Sequence, residues 1–230
     1  MYRVDLLLPT ARFAFAVEGG RIEVVPEHRS PEAFRLYSQL KRDHDVVGMT
    51  TFPNSLLLRG PRTILVDPGL DLQNAPLVQA LALLGLGVAD IDLIALTHAH
   101  GDHAGACAGL PLPVAVHERE LDDPGWSSVS GFLDRRSLLR LSGERGELAP
   151  GISWVLTPGH SLGSVCYLVE TGDGPVLLVG DTIGPLREPF DAMTPTDDSS
   201  SDDHLLAAWQ TIRDLRPRRV IAGHLPPFDL

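Results

Sequence analysis

The sequence predicts an α+β fold in which two β-sheets pack face to face, with helices on their outer sides. Three observations carry that expectation. Strand-like segments fall into two sets, helical segments are interspersed with both, and 230 residues suit one large sandwich domain. A chain of this size buries roughly 70% of its unfolded surface, so an apolar core can stabilise it without staples. The expectation is a single domain over residues 1–230, with an N-terminal extension before about residue 55.

Residues 2–8, 12–17 and 21–25 read as short strands, and Glu18-Gly19-Gly20 supplies a hairpin turn between the last two. Residues 31–42 have helical spacing, with Ser30 placed as the cap and Pro31 at the first helical position. Residues 55–59 and 63–66 form a strand pair broken at Gly60-Pro61, and the second strand runs into Asp67-Pro68-Gly69. Apolar residues recur at helical intervals over 73–84, and Gly85 or Gly87 stops that helix. A strand at 91–96, a helix starting within 103–110 and a strand at 114–116 follow. Residues 128–141 read as an amphipathic helix laid over the body of the domain. Strands at 152–156, 164–169 and 176–179 come next, then a polar loop over 196–203. A helix at 203–215 and a strand at 220–222 close the pattern.

Hydrophobic residues make up 43% of the chain and mean hydropathy is close to zero, an ordinary globular balance. Cys107 and Cys166 are the only cysteines and read as small buried apolar residues rather than a disulfide framework. The first nine residues carry charges where a secretory apolar region has none. The longest stretch free of Asp, Glu, Lys and Arg, residues 148–169, is broken by Pro150, Gly151, Pro158, Gly159 and Gly163. No membrane partner is expected, and a cytoplasmic location follows. The formal charge of −11 argues against nucleic acid, whose affinity comes from phosphate neutralisation. Two divalent ions in one cleft can nevertheless reverse the local field.

The chemistry is concentrated in Thr97-His98-Ala99-His100-Gly101-Asp102-His103, directly after the apolar run Ile91-Asp92-Leu93-Ile94-Ala95-Leu96. Alternate strand residues share a face, so His98 and His100 project to one side. Imidazole and carboxylate at this density suit zinc, iron or manganese better than calcium or magnesium. Three more candidates sit after apolar strands: His160 in Val155-Leu156-Thr157-Pro158-Gly159-His160, Asp181 in Val179-Gly180-Asp181, and His224 in Ala222-Gly223-His224. In each the ligand follows a glycine, which permits a sharp turn across the strand ends.

This set of residues resembles the metallo-β-lactamase-fold hydrolases, known for His-x-His-x-Asp-His followed by His, Asp and His. The resemblance runs from about Ser55 to Pro227 and implies a four-layer αββα sandwich with a two-metal site at one edge of the sheets. It implies that His98, His100 and His160 hold a first ion, that Asp102, His103 and His224 hold a second, and that Asp181 bridges them. Two divalent metal ions are therefore the expected cofactor, zinc first, with iron or manganese as alternatives because the bridging carboxylate is hard. Two such ions about 3.5–4 Å apart hold a hydroxide at neutral pH, and Asp102 is the candidate to orient it or take its proton. Asp67, in Val66-Asp67-Pro68-Gly69, matches an early Asp-x-Gly whose implied role is to orient a ligand histidine through a hydrogen bond. His28, His44, His117 and His204 are read as non-ligands.

Hydrolysis of a small ester, lactone or thioester is the first functional expectation, with a small molecule as partner. Quorum-quenching lactonases have similar ligand spacing but a tyrosine three residues beyond the bridging aspartate, where this chain has Gly184. Glyoxalase II enzymes add a helical glutathione-binding domain, which the six residues after His224 do not supply. Zinc β-lactamases mostly use cysteine where Asp181 stands. The alternatives are a phosphodiesterase or nuclease, and a persulfide dioxygenase-type oxidoreductase with one iron. Substrate walls are expected from residues 125–146 and 184–203, with Trp126, Phe132 and Phe190 as apolar candidates. The segment before Ser55 is a candidate homodimer contact.

Overall fold

The computed structural model describes residues 1–18, 21–26, 46–70, 74–122, 137–195 and 202–230. The first sheet contains β1 (Arg3–Leu8), β5 (Ser55–Arg59), β6 (Thr63–Val66), β7 (Leu93–Ala95), β8 (Val114–His117) and β9 (Leu138–Leu141), in that spatial order. Its first two pairings are antiparallel and the next three parallel. The second sheet runs β10 (Arg145–Ala149), β11 (Ile152–Leu156), β12 (Val165–Val169), β13 (Val176–Gly180), β14 (Arg219–Ala222) and β15 (Phe228–Asp229). It is antiparallel apart from the parallel β13–β14 pair. A third, three-stranded antiparallel sheet places β2 (Ala11–Glu18) between β3 (Arg21–Pro26) and β4 (Val46–Phe52).

Strand periodicity builds the layers. In β5, Leu56 and Leu58 point into the core between the two large sheets, while Leu57 faces the other way. The inner core joins Ile64, Val66, Leu93 and Ala95 of the first sheet to Trp154, Val165, Tyr167, Leu178 and Ile221 of the second. On the outer face of the first sheet, Leu57, Leu65, Ile94 and Val116 pack on Leu77 and Leu81 of α1 (Ala75–Leu83). On the outer face of the second, Cys166, Leu177, Val179 and Val220 meet Phe190 of α3 (Glu188–Ala192) and Trp209 and Ile212 of α4 (Asp202–Asp214). That is the αββα arrangement. It also explains why the central strands read as unbroken apolar runs, since both faces are covered. None of the described helices is long and apolar enough to cross a membrane.

Three expectations need correction. The helix expected within 103–110 begins earlier, as α2 (Gly101–Ala104), with His100 at its N-cap and a 3₁₀ turn over Gly105–Gly109. Residues 138–141 are not the end of a helix: they form β9, whose backbone pairs with β8 from Val114 to His117. That pairing decides against the helical spacing, because an available sheet edge satisfies the backbone of a Leu-rich segment directly. Phe190 is fully buried and stacks edge-on with Trp209 at 5.8 Å, so it belongs to the core and not to a substrate wall. The helix expected at 31–42, residues 128–136, Trp126, Phe132, His28, His44 and the loop at 196–201 lie outside the described residues.

Candidate metal centre

Five strand ends converge on one edge of the sandwich. β6 leads into Asp67, β7 into the stretch from His98 to His103, β11 into His160, β13 into Asp181 and β14 into His224. The structure brings all seven expected ligands together. Three groups have donor atoms mutually within 4.8 Å: His98, His100 and His160; His98, His103 and Asp181; and Asp102, His103 and His224.

Asp181 is common ground between them. Its Oδ1 lies 3.2 Å from His103 Nε2, and its Oδ2 lies 3.7 Å from His160 Nε2 and 3.3 Å from His224 Nε2. Asp102 Oδ2 is 3.2 Å from His224 Nε2 and 4.0 Å from His103 Nε2. His98, His103 and His224 are buried and form the floor of the cleft. His100, Asp102, His160 and Asp181 are partly exposed and form its mouth.

The donor set fits divalent cations. Buried polar atoms normally find a partner. Here His98 Nε2, His103 Nε2 and Asp181 Oδ1 are buried and have no hydrogen-bond partner among the described residues. His100 Nδ1 and His160 Nε2 stand 2.9 Å apart, near the roughly 3.3 Å separation of two nitrogens sharing a tetrahedral zinc. Burial, reinforced by His103 and His160, holds the His98 pKa well below the usual imidazole value. Burial likewise brings His160 down to about 4. Both are therefore neutral at physiological pH, the form that ligates a metal. Burial also opposes charge on His103, but Asp181 and Asp67 outweigh it and raise that pKa well above normal. The Asp181 carboxyl is held well below its usual range, because His103 and His224 overcome the burial that opposes its charge.

Asp67 sets the tautomer of His103. It is buried, with a left-handed φ of +47°, and its Oδ2 accepts from His103 Nδ1 at 2.9 Å and from Thr97 Oγ1 at 2.6 Å. Its Oδ1 accepts from the Thr97 backbone N–H at 2.8 Å. With one proton fixed on Nδ1, Nε2, which faces Asp181, is the nitrogen left to ligate a cation, a bound ion displacing any proton it carries. Two glycines before ligands have different reasons. Gly180 has a φ of +50°, and a Cβ there would collide with Thr97. Gly223 needs no special φ: a Cβ there would overlap Asp181 Oδ1 and sit 2.8 Å from His103 Cε1.

The four histidines read as non-ligands include His117, which is buried, contacts the Gly143 carbonyl through Nε2 at 2.9 Å, and accepts the Arg119 N–H at Nδ1. His204 is exposed on α4. Asn54 is a residue the sequence reading missed. It is buried, and its amide donates to the carbonyls of Ala222 and Leu225, at 2.7 Å each, on either side of His224. Nothing in the local pattern Phe52-Pro53-Asn54-Ser55 points to that contact, which spans 168 positions.

Comparison with known proteins agrees with this architecture. A protein 27% identical over 173 residues is metallo-beta-lactamase domain-containing protein 1 of Xenopus laevis, matched over 75% of this chain and 70% of its own length. The hydroxyacylglutathione hydrolase of Klebsiella pneumoniae is 36% identical over 126 residues, covering 53% of this chain and only 43% of the enzyme. Among solved structures, a metallo-beta-lactamase fold from Thermotoga maritima superposes with a TM-score of 0.69 at 18% identity, over 100% of this chain and 99% of the other. A quorum-quenching N-acyl homoserine lactone hydrolase superposes at 0.64 and 18% identity, over 93% and 86% of the two chains. At such identities these two likenesses bear on fold. The family model of the metallo-beta-lactamase superfamily matches residues 49–224, more than half of the sequence. The chain therefore belongs to the metallo-beta-lactamase superfamily of metal-dependent hydrolases.

Proposed function

We propose that the protein is a dinuclear metal-dependent hydrolase acting on a small ester, lactone or thioester. The observation that carries this reading is Asp181, whose two carboxylate oxygens address different histidines: Oδ1 faces His103, while Oδ2 faces His160 and His224. One carboxylate shared between facing histidine groups suits two ions better than one. His98, His100 and His160 would hold the first ion, and Asp102, His103 and His224 the second, with Asp181 serving both. Such ions, when bound, supply an activated water and positive charge for a developing oxyanion.

The chain's own residues have distinct tasks. Asp67 orients His103 through Nδ1. Asp102 lies at the cleft mouth with its carboxyl pKa lowered, since His224 and His103 outweigh burial. It is thus ionised and placed to orient a water or accept its proton. The open side of the cleft, where His100 and His160 are partly exposed, admits the substrate. Gly184, three residues past Asp181, leaves open space where a larger side chain would stand. The names of similar proteins, an acyl-glutathione hydrolase and lactone hydrolases, support acyl chemistry. The net charge of −11 supports a small substrate over a polynucleotide.

Metal analysis of the purified protein, followed by a panel of chromogenic ester, lactone, thioester and phosphodiester substrates, tests the proposal. Two ions per chain and metal-dependent turnover of a carbonyl substrate are expected. One iron per chain with thiol-dependent oxygen uptake, or turnover confined to phosphodiesters, overturns it.

A further inference from the structure

We propose that Glu120 is a positioning residue for the His98, His100 and His160 half of the centre. The inference rests on the two-ion reading above. Glu120 lies in the 3₁₀ turn Glu118–Asp122 that follows β8, and it is 1% exposed. Its carboxylate reaches two loops at once. Oε2 accepts from the Ala99 backbone N–H at 2.8 Å, between His98 and His100. Oε1 accepts from the Ser161 hydroxyl at 2.5 Å and from the Gly163 N–H at 2.7 Å, immediately after His160.

These contacts select one group of ligands. Ala99 is flanked by two of the three histidines in that group, and Ser161 is bonded to the third. The second group is held by other means: His103 by Asp67, and the turn around His224 by Asn54. The fit at Glu120 is tight. A Cβ at Gly163 would overlap the Glu120 backbone nitrogen, so the loop after His160 rests directly on this turn. Ser161 Oγ also bonds Ser164 Oγ at 2.6 Å, and the Val165 N–H donates to the Thr97 carbonyl at 2.8 Å, so the two loops form one connected unit. An acceptor with both oxygens engaged fixes their separation, and that separation sets the span between His100 and His160.

A glutamine cannot reproduce this. Its amide nitrogen would face an N–H donor whichever way the group turns, because both oxygens accept from backbone. The experiment measures zinc affinity by competition with a chromophoric chelator. The variants are Glu120→Gln and the milder Ser161→Ala, each also made in His160→Ala and His224→Ala backgrounds. Apo-protein melting temperatures are recorded alongside. In the His224→Ala background, Glu120→Gln is expected to weaken the remaining zinc about tenfold, and Ser161→Ala to weaken it less. In the His160→Ala background the remaining zinc changes less than twofold. Equal weakening in both backgrounds, tracking the apo melting temperature, overturns the proposal in favour of a general structural role. No weakening in either background also overturns it. A wild-type chain holding one zinc sinks the two-ion reading separately, and Glu120 then keeps its role only if Glu120→Gln weakens that ion.

Discussion

Asp67→Asn separates a carboxylate that orients a ligand from a residue that merely fills a turn. Asparagine has nearly the same shape and, like aspartate, tolerates the left-handed φ of +47° found here, so the backbone is not the variable. The hydrogen bonds are. Oδ2 accepts from His103 Nδ1 and Thr97 Oγ1, and Oδ1 accepts from the Thr97 N–H. If the amide nitrogen replaces Oδ2, His103 must accept at Nδ1 and carry its proton on Nε2, which abolishes ligation. If it replaces Oδ1, the Thr97 N–H loses its acceptor. Either way one buried donor is left unsatisfied or one tautomer is reversed, a cost of about 1–3 kcal/mol. For a chain of this size that corresponds to a fall in melting temperature of roughly 2–12 °C. Zinc affinity should drop about 10–100-fold, as is typical when the partner of a ligand histidine is lost. Calorimetry in chelator gives the first quantity and competitive titration the second. Affinity within twofold of wild type together with an unchanged melting temperature would refute the idea that this carboxylate orients His103 and Thr97.

Further outcomes follow from other contacts. Gly223→Ala should cut zinc affinity at least tenfold while leaving the apo fold's circular dichroism unchanged, because the added methyl meets Asp181 and His103; normal metal binding contradicts this. Phe190→Ala should cost about 3–5 kcal/mol in chemical denaturation, as expected for a fully buried aromatic, without altering relative rates across the substrate panel. A change in substrate preference would return Phe190 to the cleft. Burial pushes the Cys166 thiol up to about 12, so it stays protonated and unreactive in the native state at pH 8. Iodoacetamide should label it only after unfolding, as read by mass spectrometry, and rapid native labelling would show that it is accessible.

Legibility differed by kind of residue. The candidate ligands stood out because a metal site needs chemically rare side chains, and four of them are packed between positions 98 and 103. Central strands such as β6, β7 and β13 were readable because burial on both faces forces continuous apolar runs. Several edge strands were not, although β1 and β3 were. β10 is Arg-Gly-Glu-Leu-Ala and β15 only Phe-Asp, and each is extended because a neighbour offers backbone partners. β4 was missed in the same way, and β9 was taken for helix. Glu120 and Asn54 were invisible for a related reason: a common polar residue acquires its task only when a distant loop folds against it.

The seam between the two large sheets has a mechanical consequence. The first sheet's loops supply His98, His100, Asp102 and His103, and the second's supply His160, Asp181 and His224. Each proposed ion would therefore draw ligands from both halves and act as a clasp across them, in a chain whose described cysteines are both unbridged. Cation capture and mechanical closure of the sandwich would then be one event. Stripping the ions should accordingly loosen the rim first, and exchange of the Val165 amide, which donates to the Thr97 carbonyl across that rim, would rise before exchange in the interior strands.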